Sequence, residues 1–122
     1  MRLQIDRRFE ETAFGIAKAV IGVALALTPW VLGFTAALAA ALNGWIVGAA
    51  IALLAVATLF WANRWAPWAH LALGVWAIVA PFLLGFSAMT AAFAAHMIAG
   101  IPVAAIAALE LWFIHNRPMR TA

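Results

Sequence analysis

Cysteine is absent from the 122 residues, and charge is nearly so. Without thiols there is no disulfide framework, no thiol nucleophile and no thiolate metal site, while the redox compartment stays open. Only 9% of the residues are Asp, Glu, Lys or Arg, against roughly 25% in a soluble domain, which at this size has much surface to cover. That deficit excludes a soluble enzyme, a disordered regulator and a nucleic-acid binder. The net charge of +3 does not argue otherwise, since seven basic residues against four acidic ones produce it. Also missing are a Ser-His-Asp set, a Gly-rich phosphate loop and an acidic metal cluster. The chain is expected not to be an enzyme and to hold no cofactor and no metal.

What is present is apolar length. Hydrophobic residues make up 69% of the chain, residues 19–63 carry no formal charge, and within 65–116 the only one is Glu110. A membrane-spanning helix needs about 20 apolar residues to cross roughly 30 Å of hydrocarbon, so each run is twice a span. One helix of that length would reach roughly 68 Å at 1.5 Å per residue, so each run must fold back. The reading is an all-α membrane protein with four transmembrane helices, over about 13–34, 44–62, 67–87 and 94–115. Gly33 and the Asn43-Gly44 pair bracket the first reversal; Gly85, Ser87 and Thr90 mark the second. The alanine-rich stretch from Thr35 to Leu42 can extend a helix or form a short interfacial one. Asn63 to Pro67 is the middle loop, and Pro67 suits the first turn of the third helix.

The basic residues lie in the N-terminal region, the middle loop and the tail, and the two hairpin tips carry none. By the positive-inside rule both termini face the cytoplasm. The chain then divides into a cytoplasmic N-terminal segment (1–12), two two-helix units (13–64 and 65–116) and a cytoplasmic tail (117–122). Basic residues before an apolar run also suggest a secretory signal. This run exceeds an h-region of about 7–15 residues, and Glu10 and Glu11 flank it, so the first span is expected to be retained. Leu3, Ile5 and Phe9 leave the N-terminal segment open to being an interfacial helix or a solvated tail.

The two units look alike. Thr28-Pro-Trp-Val-Leu-Gly-Phe34 and Ala80-Pro-Phe-Leu-Leu-Gly-Phe86 match at an offset of 52, which also places Gly22 on Gly74, Ile46 on Ile98 and Gly48 on Gly100. Over 17–64 against 69–116 there are 15 identities in 48 pairs without a gap. Six are Ala on Ala, which composition partly explains; the unbroken Pro, Leu, Gly and Phe set it does not. The chain reads as a tandem duplication of a helical hairpin. Each unit has two spans, so the second enters from the same side as the first. The repeats are parallel, unlike the inverted repeats of many ion-coupled transporters.

A Ser/Thr/Ala-Pro-Trp core with a Leu-Gly-Phe ending, late in the first helix of a two-helix unit, resembles the SPW-repeat family of small bacterial membrane proteins. The resemblance covers about residues 14–116. Thr28-Pro29-Trp30 departs from the family triplet only by Thr for Ser, and Ala80-Pro81-Phe82 departs at two positions. It implies a multi-pass protein of the bacterial cytoplasmic (inner) membrane, and it carries over no catalytic residue.

Physically, Pro29 and Pro81 each free the carbonyl four residues earlier, on Leu25 and Ala77, and tend to kink the helix. A freed carbonyl in hydrocarbon needs another partner, and the Thr28 hydroxyl is a local one. Gly33 and Gly85 suit a helix C-terminus. The motif thus shapes a kink and an exit turn, with a ligand site at the kink as the alternative. Trp30 and Trp45, with Phe34, Phe82 and Phe86, fall near the outer ends; Trp61, Trp65, Trp68 and Trp112 fall near the inner ends, as aromatic belts. Trp76 is mid-membrane, where its N–H needs a partner or a contact. Gly44, Gly48 and Ala52, and Gly100, Ala104 and Ala108, form small-residue faces for packing within the bundle or between protomers. His70 and His115 lie near the inner face and His96 near the outer one, with no His-x-x-His spacing, so a haem or chlorophyll ligand is not expected.

Lys18, Thr58, His70 and Glu110 form a polar layer near the inner ends, and the offset maps Lys18 onto His70 and Thr58 onto Glu110. Intramembrane charges usually face the bundle interior and pair. Glu110 is expected to meet Lys18 or His70; the alternative is a carboxylate that snorkels to inner-face water or pairs with Arg64 or Arg117. The favoured function is a structural or accessory membrane protein, surrounded by lipid bilayer, forming a homo-oligomer or joining a larger membrane complex. The alternative is a small channel or transporter.

Overall fold

The computed structural model describes the backbone of residues 2–60 and 65–116, with side chains for 12–60 and 65–113. Expectations about Trp61, Arg64, Arg117, the His115 ring and the apolar face of Leu3, Ile5 and Phe9 lie outside the described residues. Four helices follow in order: α1 (Arg2–Val31), α2 (Leu38–Phe60), α3 (Ala66–Leu83) and α4 (Thr90–Asn116). Each contains a stretch long and apolar enough to span a membrane: Thr12–Val31, Leu38–Phe60, Ala66–Leu83 and Thr90–Phe113.

Two boundaries differ from those the turn signals suggest. α2 starts at Leu38 and α4 at Thr90, so Asn43 and Gly44 lie inside a helix. Alanine has the best helix propensity, and apolar surroundings demand that backbone groups bond within the segment. The alanine-rich stretch therefore extends α2 and confines the reversal to a few residues. α1 is likewise one continuous helix from Arg2, with no separate element before the span.

The reversals use one device twice. The Phe34 N–H bonds the Pro29 carbonyl at 3.0 Å across Gly33, whose φ is +76°. The Phe86 N–H bonds the Pro81 carbonyl at 2.9 Å across Gly85, whose φ is +80°. A six-to-one bond over a left-handed glycine is a Schellman cap, satisfying carbonyls that a helix end would otherwise leave bare. Phe34 and Phe86, each 4% exposed, then turn inward and plug the tip end of the core. Each also accepts a bond from the residue three further on, Ala37 or Met89, which starts the next helix.

Within each hairpin the helices meet backbone to backbone. A Cβ built on Gly22 would lie 2.6 Å from the Ala52 nitrogen, and one on Gly48 would lie 2.5 Å from the Ala26 nitrogen. In the second hairpin a Cβ on Gly74 would lie 2.7 Å from the Ala104 nitrogen, and one on Gly100 would lie 2.9 Å from the Gly74 oxygen. Small residues let helices approach this closely, and dispersion is the main attraction available between them in lipid. The small-residue faces are thus used inside the hairpins, although Ala108 is exposed. Between hairpins α1 packs on α4 and α2 on α3, while α2 and α4 touch briefly across the short diagonal. Leu25, Val47, Ile51, Ala77, Ala99 and Val103 fill the centre. Leu53, Phe60, Ile98 and Leu83 are among many large apolar side chains left facing outward.

Candidate functional site

Lys18 of α1 and Glu110 of α4, the charged residues within 12–60 and 65–113, meet His70 of α3 at one level of the bundle. Lys18, on α1, is 1% exposed. Its ammonium donates to Glu110 Oε1 on α4 in a close ion pair. It also lies 3.0 Å from His70 Nδ1 on α3. His70, fully buried, has its Nε2 3.2 Å from the Ile51 carbonyl on α2. A carbonyl only accepts, so Nε2 carries the proton, and the neutral ring turns its Nδ1 lone pair to the ammonium. The result is one hydrogen-bonded chain through four helices: Glu110, Lys18, His70, Ile51. The α1 and α3 backbones stand apart on the long diagonal, and the four-carbon lysine stem reaches across to His70.

Thr58 does not join this chain. Its hydroxyl donates to the Ala55 carbonyl of its own helix at 2.7 Å, the local bond that serine and threonine commonly make in helices. Thr28 does the same with the Leu25 carbonyl at 2.7 Å, which is the group that Pro29 leaves without an amide partner.

A second link lies nearer the tips, where the Trp76 indole N–H donates to Asn43 Oδ1 at 2.8 Å. That supplies the mid-membrane tryptophan with its partner and gives Asn43 a role between helices rather than in a turn. His96 is fully buried, donates from Nδ1 to the Ala92 carbonyl at 2.8 Å and packs on the Phe86 ring at 4.9 Å. His70 and His96 thus sit towards opposite ends of the bundle. Among the described residues no group of three or more His, Asp or Glu is placed to hold a metal ion.

The motif residues divide between core and periphery. Pro29 and Pro81 are among the fully buried side chains, whereas Trp30 and Phe82 are 61% and 60% exposed. Trp30 leans on Trp45 at 5.2 Å, and Phe82 meets Phe93 edge-on at 5.6 Å. The Pro29 ring backs onto Gly44, where a Cβ would come within 3.4 Å. At the other end Trp65, Trp68 and Trp112 are exposed. A family model described as the SPW repeat domain matches residues 12–110. The chain belongs to the SPW repeat family. No curated protein and no solved structure matches it. In this SPW repeat protein the proline and glycine build the helix exit, the aromatic third position faces outward, and Ala80 in the second copy leaves no hydroxyl for the Ala77 carbonyl.

Sequence reasoning missed two features. Asn43 beside glycine carried a turn signal that masked its pairing with Trp76. The Ile51 carbonyl belongs to an apolar residue and leaves no trace in side-chain chemistry.

Proposed function

We propose that this SPW repeat protein is an accessory component of the bacterial cytoplasmic membrane, without catalysis of its own. It consists of two parallel hairpin repeats with both termini inside, and it acts by packing against itself or as a small subunit of a larger membrane complex. The observation that carries the reading is where its polar groups go. At the charged layer Lys18, Glu110 and His70 are spent on one another, so that layer offers a substrate little to bind; the buried side-chain atoms left without a partner among the described residues, Asn43 Nδ2, Trp45 Nε1 and His96 Nε2, lie nearer the tips. The outward surface is instead broad and apolar, with large side chains on all four helices.

The alternative, a small channel or transporter, has the buried Lys18–Glu110 pair in its favour, because intramembrane charges often mark ion pathways. Between that layer and the level of Asn43 and His96, however, the core is Leu25, Val47, Ile51 and Val103 with alanines, and among the described residues it offers no side-chain ligand for an ion. Native mass spectrometry after mild extraction from the source membrane tests the choice. A stoichiometric protein partner, or a defined homo-oligomer, is the expected result. A lone monomer, or a bound haem or pigment, would contradict the accessory reading.

A further inference from the structure

The two hairpins are joined internally and to each other by different forces. Inside each hairpin the contact is glycine and alanine backbone against backbone, and the two hairpins are alike in this: Gly22 and Gly48 in one match Gly74 and Gly100 in the other. Such surfaces cannot tell one hairpin from another. The seam between hairpins is where they differ. Lys18 to Glu110, Lys18 to His70, His70 to Ile51 and Trp76 to Asn43 all cross it. The first hairpin brings a cation and a hydroxyl to this layer, Lys18 and Thr58. The second brings a neutral base and an anion at the matching positions, His70 and Glu110.

We propose that this layer is a pairing code: the seam face of a first hairpin accepts a second hairpin and rejects another first hairpin. Two first hairpins facing each other would bury two Lys18 ammonium groups with no carboxylate between them. A first hairpin facing a second buries one ammonium with one carboxylate and a free imidazole lone pair. Each polar end then meets a partner, as the chain from Glu110 to the Ile51 carbonyl shows. The code turns a duplicated and otherwise self-similar unit into a heterotypic pair. It holds whether the second hairpin comes from the same chain or is exchanged with a neighbouring copy. Like-charge burial is the kind of repulsive element that gives specificity where attraction alone cannot.

The inference rests on the parallel-repeat reading, because only a two-fold relation makes the four positions interchangeable. In full-length protein in mild detergent, His70→Lys/Glu110→Thr gives both hairpins the first hairpin's layer. It is expected to lose the monodisperse peak on size exclusion. The fourfold variant Lys18→His/Thr58→Glu/His70→Lys/Glu110→Thr exchanges the layers and keeps the composition, so the cost of inserting its charges is unchanged. It is expected to recover the peak and to melt within about 5 °C of the unaltered protein. A double variant as stable as the unaltered chain would overturn the code, and so would an exchange that fails to restore it. Partner binding is read separately by native mass spectrometry, so the code and the accessory role can fail independently.

Discussion

Replacing Glu110 by glutamine probes the seam at its most costly point. The substitution keeps the shape and an accepting oxygen but removes the negative charge that Lys18 faces. The Lys18 side chain is 2% exposed and that of Glu110 16%, so the ammonium is the more enclosed of the two charges. Breaking a buried pair by removing one partner costs about 3–5 kcal/mol, because the remaining charge is left uncompensated. The upper part of that range applies to Glu110→Gln, which strands the buried ammonium. Lys18→Met should cost less, about 1–3 kcal/mol, since the carboxylate it strands is the less enclosed charge and the further loss is the donor to His70 Nδ1. Removing both charges, in Lys18→Met/Glu110→Gln, should be milder than Glu110→Gln alone, because no buried charge is then left uncompensated. The interaction term of this double-mutant cycle, read from denaturant or thermal unfolding in detergent, should be clearly favourable. A Glu110→Gln protein within about 0.5 kcal/mol of the unaltered chain, or a double variant worse than the single, would refute the reasoning.

Gly48→Ala should destabilise the first hairpin by about 1–3 kcal/mol, since its methyl would lie 2.5 Å from the Ala26 backbone nitrogen. Gly33→Ala meets no atom within 4 Å, yet its φ of +76° should still cost about 1 kcal/mol. Thermal unfolding that ranks Gly33→Ala above Gly48→Ala in cost would contradict the close packing of α1 on α2. Trp76→Phe should cost about 1–3 kcal/mol by leaving Asn43 Oδ1 without its donor, and adding Asn43→Leu should recover part of that loss. Reporter fusions at the tips, after Thr35 and Ser87, should prove external; cytoplasmic signals there would overturn the orientation.

The spans were legible because charge is rare enough to mark their ends, and the helix exits because Pro-x-x-x-Gly-Phe prescribes a left-handed glycine after a proline-bearing turn. The start of α2 was not, because Asn43-Gly44 is a turn signal in water but lies in a helix when Trp76 takes the asparagine oxygen. Lys18, His70 and Glu110 could be grouped from their depth and the repeat offset. Thr58 shared both and still stands outside the chain, because a threonine hydroxyl can bond its own helix. Its failure to reach across, and the recruitment of the Ile51 carbonyl, depend on side-chain reach and rotation that spacing does not encode. The small-residue spacing marked packing faces, but only the tertiary arrangement decided that they close each hairpin.

Lys18 is the sole lysine of the chain, so a nitrogen label placed on lysine reports one ammonium alone. Solid-state NMR of the protein in lipid bilayers, with 15N on the lysine side chain and 13C on glutamate carboxylates, measures its dipolar coupling to Glu110 directly. The account predicts strong dephasing, for a carboxylate within about 4 Å of the ammonium, and its loss in Glu110→Gln. A lysine nitrogen with no labelled carboxylate inside about 6 Å would contradict the buried seam on which the docking of the two hairpins rests.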